Sequence, residues 1–536
     1  MLNVERRLRL PYLLLPIALL APPLALLPLA YAAGAALAIA VAILAAIDPI
    51  WAVYAAILSV PAQDLVKLPG GLSLTQAALL VAVAALALHA LIDPERPMPL
   101  GRLFPPLALL MLALFAATAL TPYSRADAMR ETLRWCTVPL IYVLTLRSLQ
   151  GTGNREEGTA SDKGAVPCSL FPVPSWRLYG LLACLLIAPA ADALVGLAQF
   201  WYGIGPPSFG IGGGHMRSYG TIGQPNSFAG YMNQAWPLAL SLTVGALIWL
   251  RRAAPRRLGL IALVASGGAT GLLLAALLTS FSRGGWVGAV GGAAAMIVAA
   301  IPLLSAGLRR GAWRAAALAV GGLALLLALG GGGMLPDSLA GRLGSITANL
   351  RIFDVRGVMI TPENFAVVER MAHIQAGWNM FVRHPLTGVG PGNYSAAFNQ
   401  APGPGEPPIT ARPWYVSRGH AHNYYLNMAA EAGALGAAAY VLLISAVGLQ
   451  AARAIRHARG ILWRAVAVGC AGVAAAVAVH NIFENLHVLN MGLQLGTTWA
   501  LLVFAEGAPG KSSAPSSQRL SKVFSGRDKP SPNPSQ

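Results

Sequence analysis

Long runs of apolar residues, separated by short polar segments, recur along most of this 536-residue chain. Runs of about 17–25 residues have the length that an α-helix needs to cross the hydrocarbon core of a bilayer. Their apolar positions do not alternate with period two, which is the pattern of strands in a membrane β-barrel. The pattern therefore predicts an all-α fold, a polytopic transmembrane helical bundle with about 12–14 spans.

The predicted spans lie near residues 11–29, 31–47, 49–62, 73–92, 104–121, 126–147, 177–199, 226–250, 258–280, 285–304, 313–330, 421–450, 461–480 and 485–505. The second and third runs are short, so they form two spans, one hairpin or a partly re-entrant pair. This ambiguity is the reason why the predicted number of spans is a range.

Polar segments divide the predicted bundle into regions. We assign residues 1–150 to N-terminal transmembrane helices, 177–330 to central helices with external arginines, and 421–508 to C-terminal helices. Residues 151–176 contain Gly, Ser, Pro and charged side chains, which predicts a flexible cytoplasmic loop. Residues 509–536 are rich in Ser, Pro and Lys, which predicts a disordered cytoplasmic tail.

The segment at 331–420, before the third-last predicted span, mixes apolar and charged residues at helical spacing. Within it, residues 369–383 predict an amphipathic helix whose apolar face includes Met371 and Trp378. Ordered loops of this length are usually functional. We therefore expect a large helical loop on the external side of the membrane.

The composition is that of a membrane protein, since 56% of the residues are hydrophobic and 11% are charged, against about a quarter charged in soluble domains. The net charge of +18 does not indicate nucleic-acid binding, because the arginines form short clusters between apolar runs, as topology signals do. We predict a cytoplasmic N-terminus, because this placement puts the basic clusters at 251–257, 309–314 and 453–459 in the cytoplasm, together with the C-terminus. The segments around 200–225, 281–284, 331–420 and 481–484 are then external.

Two further patterns have ordinary explanations. A basic start followed by the apolar run at 11–29 resembles a signal peptide, but the many later spans favour an uncleaved first helix. The four cysteines are scattered without the spacing of metal ligands, so they predict no disulfide framework and no metal site.

Two arginines lie in predicted external turns. Arg217 belongs to the turn at 214–226, and Arg283 lies in the Ser-Arg-Gly-Gly sequence at 282–285, between two spans with almost no loop. A guanidinium keeps its charge, and its planar fork suits bidentate binding of phosphate. Either arginine could instead extend to lipid headgroups and anchor its helix. For Arg283, wedged between apolar helices, the pattern favours function.

The sequence at 418–436 places two histidines, two asparagines and Glu431 at the start of a long apolar helix. We predict His422 in the first helical turn, where an imidazole can act as a general base near neutral pH. The alternative is an interfacial histidine satisfied by headgroups or backbone. Glu431, half a turn out of phase with His422, is expected to pack against another helix.

His480, Glu484 and His487 recur at i, i+4 and i+7, so a continuous helix would present three potential metal ligands on one face. The simpler interpretation is the external turn between the last two spans, and we predict no metal there. Glu484 could still orient an acceptor or His422.

Together these motifs resemble the O-antigen ligase/O-antigen polymerase superfamily of multi-spanning membrane glycosyltransferases. The resemblance rests on Ser-Arg-Gly-Gly-Trp at 282–286, His-Pro-Leu-Thr-Gly-Val-Gly-Pro-Gly-Asn-Tyr at 384–394, and His-Asn at 422–423 followed by Glu-Ala-Gly at 431–433 and Gly436. It extends from about residue 177 to 500, whereas the first 150 residues match only as generic membrane spans.

The resemblance implies transfer of a glycan from undecaprenyl pyrophosphate to an acceptor hydroxyl outside the cytoplasmic (inner) membrane, without a metal or other cofactor. The expected partners are that lipid-linked donor, a glycan, lipid or protein hydroxyl acceptor and membrane lipid, but no nucleic acid. Such enzymes ligate or polymerise surface polysaccharides, including that of lipopolysaccharide. We expect one inverting displacement.

By the same resemblance, Arg217 and Arg283 bind the donor pyrophosphate, and Arg370 on the loop helix adds a further positive charge. His422 is the expected catalytic base or acceptor-orienting group. Asn423 and Glu484 are expected to support it.

A transporter or flippase of a lipid-linked saccharide is the alternative. Transporters place ionisable groups near the bilayer midplane within repeated halves. Asp192, inside the span at 177–199, is the feature that favours transport, whereas the other ionisable groups gather at external helix ends. A structural scaffold would leave Arg217, Arg283 and His422 without a purpose.

Overall fold

The computed structural model describes residues 29–65, 73–92, 98–150, 175–252, 256–314, 354–361, 364–401, 409 and 419–507. The predicted span near 11–29, most of that near 313–330, nearly all of the predicted loop at 151–176 and the predicted tail at 509–536 lie outside these residues.

Helices dominate the described residues, and one two-stranded hairpin accompanies them, so the all-α fold predicted from the apolar runs is confirmed. The helices are α1 Leu29–Ile47, α2 Ile50–Leu58, α3 Leu74–Ile92, α4 Phe104–Ala119, α5 Arg125–Leu149, α6 Ser175–Tyr202, α7 Pro225–Asn233, α8 Trp236–Arg252, α9 Arg256–Thr279, α10 Arg283–Ala300, α11 Phe365–Arg383, α12 Tyr394–Asn399, α13 Tyr424–His457, α14 Gly460–His480 and α15 Gly492–Gly507. The antiparallel strands are β1 Gly210–Gly212 and β2 His215–Met216.

Six of the described helices are long and apolar enough to cross a membrane by themselves: α3, α6, α9, α10, α13 and α14. Helix α2 has 9 residues, or about 14 Å of rise, which is half of a bilayer core. The re-entrant interpretation of residues 49–62 therefore fits its length. The predicted total of about 12–14 spans includes segments outside the described residues and stays a prediction.

Two predicted spans differ in detail from the observed helices. The run near 226–250 is broken at residues 234–235 into α7 and α8, and the last helix begins at Gly492 rather than near 485. Residues 481–491 consequently form a longer non-helical segment than the hydropathy pattern predicts. This segment carries Glu484, and its length allows the carboxylate to turn back into the bundle.

Small residues set the distance between α10 and α14. A Cβ at Gly288 would lie 2.8 Å from the carbonyl oxygen of Ala476, and one at Gly292 would lie 3.0 Å from that of Gly472. Small side chains at such spacing let transmembrane helices approach closely and gain van der Waals contact, which is the main attraction between helices in lipid. The approach brings the N-terminus of α10 against the end of α14.

The helices that carry the basic clusters run away from the turns that carry the other polar motifs. Helix α8 ends at Arg251 and Arg252, and α9 returns to Thr279, whose carbonyl accepts from the N–H of Ser218. Helix α13 likewise has Arg456 and His457 in its last turn, and α14 returns to His480. The basic clusters and the polar turns thus lie at opposite ends of the bundle, which is the separation that the predicted topology requires.

A helix break at Gly433 anchors the loop at 384–393 to the bundle. Gly433 has φ 64° and ψ −164°, which interrupts α13 six residues beyond Asn427. The interruption frees backbone groups that pair with the loop at 385–390: Ala434 donates to Pro385 O at 2.8 Å, while Val389 donates to Ala430 O at 2.9 Å. A strand-like exchange of hydrogen bonds therefore replaces the helical ones that the break removes.

Gly388 in the loop and Gly433 in the helix leave no room for a side chain, because the two backbones touch at these positions. A Cβ at Gly433 would lie 2.2 Å from the carbonyl carbon of Leu386, and one at Gly388 would lie 2.4 Å from that of Glu431. The side chain of Glu431 accepts from the backbone N–H of Tyr394, the first residue of α12, at 3.3 Å. The His-Pro-Leu-Thr-Gly and Glu-Ala-Gly motifs are thus two halves of one docking contact, and Glu431 packs as expected.

Candidate active site

The turn after α6 holds Arg217 against the end of α9. Ser218 anchors it by donating from its N–H to Thr279 O at 2.9 Å and from its hydroxyl to Gly196 O at 2.7 Å. The guanidinium of Arg217 donates from Nε to Ser280 O at 2.9 Å and from Nη2 to Asn226 Oδ1 at 3.1 Å. These contacts use part of the guanidinium fork and fix its direction.

Asp192 supports the same turn from within α6. Its Oδ1 accepts from the backbone N–H of Thr221 at 2.6 Å and from the Thr221 hydroxyl at 2.9 Å. Gly220 packs against the carboxylate so closely that a Cβ there would lie 2.5 Å from Oδ1. The feature that favoured transport therefore has a local role, which is to shape the turn that carries Arg217.

Arg283 is the first residue of α10. Ser282 caps this helix, since its hydroxyl accepts from the N–H of Gly285 at 3.2 Å. At Gly284, a Cβ would lie 3.0 Å from Cβ of Phe483 and 3.1 Å from Cδ2 of His480, so the helix end abuts the segment after α14. The positive end of the helix dipole and the exposed side chain of Arg283 face the same region, and both favour an anion.

Arg370 reaches this region from the helix that precedes the loop at 384–393. It lies on α11, which begins at Phe365 and ends at Arg383, so the helix predicted at 369–383 is confirmed. Its apolar face was predicted only in part, because Met371 is buried whereas Trp378 is 56% exposed. The Nη2 of Arg370 donates to the carbonyl of Phe483 at 2.6 Å, which ties the loop helix to the segment beside Glu484.

Glu484 meets two histidines. Its Oε1 lies 2.8 Å from Nε2 of His420 and 3.5 Å from Nδ1 of His422. The carboxylate is buried, and each imidazole has about a quarter of its side-chain surface exposed, at 26%. Two potential proton carriers thus share one carboxylate at the edge of solvent.

The position of His422 differs from the prediction. Helix α13 begins at Tyr424, so His422 lies before the helix rather than in its first turn, and its φ is +51°. A left-handed backbone is costly for a residue with a Cβ, and such strain is concentrated at functional sites. Asn423 is the N-cap, with Oδ1 accepting from Leu426 N–H at 3.0 Å, so it fixes the start of the helix directly after His422.

Asn226 connects the arginine turn to the histidines. Its Nδ2 donates to Oε2 of Glu484 at 2.7 Å, while its Oδ1 accepts from Arg217. Arg217, Asn226, Glu484 and His422 therefore form a continuous polar contact. Segments that are more than 200 residues apart in the chain meet at one site.

The charge of this cluster is positive. Arg217 and Arg370 each lie close enough to Glu484 and to Arg283 for their charges to interact. Burial would raise the pKa of Glu484, but the two imidazoles that face it, His420 first, hold that pKa well below its usual range. One ionised carboxylate thus lies among three guanidiniums. The resulting excess of positive charge favours a multiply charged anion such as a pyrophosphate.

His480 and His487 do not join Glu484 on one helical face, because α14 ends at His480. His487 lies in the following segment, where its Nε2 is 2.9 Å from the hydroxyl of Tyr440 and its ring is buried. Burial, then the nearby Arg134, lowers the pKa of His487 to about 3, so it is neutral. It supports the segment rather than contacting the site.

Within the part of the chain that the structure describes, His420, His422 and Glu484 could hold a metal ion together, since their ligand atoms lie within 4.8 Å of one another. The surroundings oppose a cation, because the charges of Arg217 and Arg370 act on the same carboxylate. The other carboxylate oxygen is already engaged by Asn226. The arrangement suits proton transfer beside a bound anion better than metal binding.

His373 packs behind the histidine pair. Its ring meets that of His422 edge to face with centroids 5.4 Å apart, and it stacks on Phe398 at 4.8 Å. Burial, followed by the neighbouring imidazoles of His422 and His420, lowers the pKa of His373 to about 3. A neutral, tightly packed ring therefore limits the movement of His422.

Sequence reasoning named Arg217, Arg283, Arg370, His422 and Glu484, and these five converge. It missed Asn226, the role of His420 and the ring of His373. The His-Ala-His spacing at 420–422 was a visible signal, since alternate residues outside a helix can face one partner. Nothing in the sequence indicates that Asn226 would contact Glu484.

Comparison with known families gives one match: residues 268–441 match the family model described as O-Antigen ligase. The matched part contains Arg283, Arg370, the docking contact at Gly433 and His422, whereas Arg217 and Glu484 lie outside it. No curated protein matches the chain. Residues 268–441 are thus similar to the O-antigen ligase family, and this match, with the apolar helices, supports a multi-pass membrane protein of the glycan ligase or polymerase kind.

Proposed function

We propose that this protein transfers a glycan from undecaprenyl pyrophosphate to an acceptor hydroxyl on the external side of the cytoplasmic membrane. The observation that carries the proposal is the convergence of Arg217, Arg283 and Arg370 on the Glu484–histidine cluster. A ligase of this kind needs a group that binds a departing pyrophosphate and a base for the incoming hydroxyl, and the cluster offers both.

The anomeric carbon of such a donor already carries a good leaving group. As the acceptor oxygen bonds to that carbon, the carbon–oxygen bond to pyrophosphate breaks and the electron pair leaves with the phosphate. The guanidiniums of Arg217, Arg283 and Arg370 stabilise this growing negative charge, assisted by the N-terminus of α10. Preorganised charges of this kind require little rearrangement during reaction.

His422 takes the proton of the acceptor hydroxyl. Its Nδ1 faces Oε1 of Glu484, which leaves Nε2 to accept the proton while the carboxylate stabilises the imidazolium that forms. General base catalysis contributes about 10²–10⁴-fold in rate. The step is a single displacement, so the product has the opposite anomeric configuration to the donor.

The test is an in vitro transfer assay with the full-length protein in proteoliposomes, a lipid-linked glycan donor and an acceptor. We expect turnover to fall at least about 10²-fold in Arg283→Ala and in His422→Ala. Arg356→Ala and His457→Ala are matched controls, because both side chains are exposed outside the cluster. NMR of the product decides whether configuration is inverted.

Near-normal turnover by Arg283→Ala or His422→Ala, with both controls active, would contradict the proposal. Flux of labelled donor across the same vesicles without any acceptor would instead support a transporter. Comparing surface glycans of a deletion strain with wild type then assigns the acceptor: loss of polymer length indicates a polymerase, loss of attachment a ligase, and loss of a glycoprotein a protein glycosyltransferase.

A further inference from the structure

His420 is bonded at both ring nitrogens, and each bond identifies the proton's position. The backbone N–H of His422 donates to Nδ1 of His420 at 3.2 Å. A backbone N–H can only donate, so Nδ1 carries no proton. The other nitrogen, Nε2, lies 2.8 Å from Oε1 of Glu484 and must donate to that carboxylate. His420 is therefore the neutral Nε2–H tautomer.

The residue held by Nδ1 is the strained one. His422 has a φ of +51°, one of three such non-glycine residues among those that the structure describes. A left-handed residue at this position needs local restraint, since an extended or helical backbone is the easier choice. The contact from His422 N–H to His420, with the two rings 4.7 Å apart, supplies that restraint.

The residue held by Nε2 is the carboxylate that faces His422. The Oε1 of Glu484 is 2.8 Å from His420 but 3.5 Å from His422, which is the limit of a hydrogen bond. A carboxylate oxygen can accept more than one hydrogen bond, so His420 holds Oε1 in place beside the ring of His422. This leaves the His422 ring close enough for stabilisation of its protonated form.

We propose that His420 is a positioning residue: as the Nε2–H tautomer it clamps the backbone of His422 through Nδ1 and anchors Glu484 through Nε2. The inference rests on the proposed function, in which His422 is the base. His420 itself has no nitrogen available for the acceptor proton. Its contribution is to direct the ring of His422.

Two conservative variants separate the two bonds. In His420→Asn the amide oxygen can occupy the place of Nδ1 and accept from His422, whereas in His420→Gln the amide nitrogen can occupy that of Nε2 and donate to Glu484. We expect His420→Ala to lower kcat about 10²-fold by misdirecting the base. The donor KM should stay within about twofold, because the arginines that bind pyrophosphate are intact.

The recovery of kcat in the two conservative variants tests the proposal. His420→Asn should recover most of kcat and His420→Gln much less, since directing His422 depends on the backbone clamp. Wild-type kcat in His420→Ala, or recovery by Gln but not Asn, would overturn it. Wild-type turnover by His422→Ala would instead refute the proposed function.

A second readout does not depend on activity. In ¹⁵N-histidine NMR of the full-length protein in nanodiscs, the resonances absent from His420→Asn report the tautomer of His420. We expect an unprotonated Nδ1 and a protonated Nε2 at neutral pH. The opposite tautomer, or a doubly protonated ring, would refute the inference even if the transfer assay behaves as proposed.

Discussion

Asn226 donates from Nδ2 to Oε2 of Glu484 over 2.7 Å, although the two residues are 258 positions apart in the chain. The same amide accepts from Arg217, so its two ends face groups of opposite charge. An amide satisfies both neighbours, whereas a carboxylate or an amine would repel one of them. Asn226 therefore holds the turn that carries Arg217 in register with the Glu484–histidine cluster.

Asn226→Asp should lower transfer activity about 10–100-fold. The substitution keeps the size of the side chain but places a carboxylate against Oε2 of Glu484 and removes the donor, which costs roughly 1–3 kcal/mol. Turnover is measured with the lipid-linked donor. Asn379→Asp is the control, because that exposed amide donates to Ile409 O away from the site. Equal activity of both variants would show that Asn226 does not organise the cluster.

Gly433→Ala should destabilise the protein by roughly 3 kcal/mol, near the upper end of single substitutions. Its φ of +64° and the 2.2 Å contact of a Cβ with Leu386 both oppose a side chain. The thermal midpoint in detergent should fall and the loop at 384–393 should become accessible to protease. Gly448→Ala in the same helix meets nothing within 4 Å and should keep the wild-type midpoint. Equal thermal midpoints of Gly433→Ala and Gly448→Ala would show that the docking contact does not stabilise the protein.

Chelation should not change the rate of transfer. The surplus of guanidinium charge around Glu484 disfavours a cation even though His420, His422 and Glu484 lie close together. The assay is run after treatment with EDTA and again with added Mg²⁺, Mn²⁺ or Zn²⁺. A loss of activity with EDTA that one of these ions restores would show that the histidines are metal ligands.

Stability should fall as the pH drops below about 6.5, partly because of His373. Its pKa is lowered to about 3 in the folded protein, whereas an unfolded histidine takes up a proton near pH 6.5. Between these values the unfolded state binds more protons, so acid favours unfolding, by about 2 kcal/mol at pH 5.

The measurement is the difference between thermal midpoints at pH 7.5 and pH 5. His373→Phe should reduce this difference, since phenylalanine keeps the stacking on Phe398 without a titrating nitrogen. The exposed His457→Phe should leave it as in the wild type. If the difference between the two thermal midpoints in His373→Phe equals that of the wild type, groups other than His373 cause the loss of stability in acid.

The helices themselves could be predicted from the sequence because the bilayer imposes their length and apolarity. The predicted span at 461–480 and the observed helix Gly460–His480 agree to one residue, and the loop helix at 369–383 ends at Arg383 as expected. Prediction failed where the backbone departs from helix. The break of α13 at Gly433 is associated with its contact with Leu386, and the non-helical segment at 481–491 with the contact of Glu484 with Asn226. Neither contact can be read from the local sequence pattern.

The candidate site divides in the same way. Residue chemistry identified Arg217, Arg283, Arg370, His422 and Glu484, because charged groups at helix ends in an apolar chain need a reason to be there. Only the tertiary structure decided that His422 precedes its helix, that Asp192 shapes a turn, and that His420 and Asn226 hold Glu484 from two sides. Hydropathy acts on each segment separately, whereas hydrogen bonds between turns distant in sequence exist only after the helices have packed.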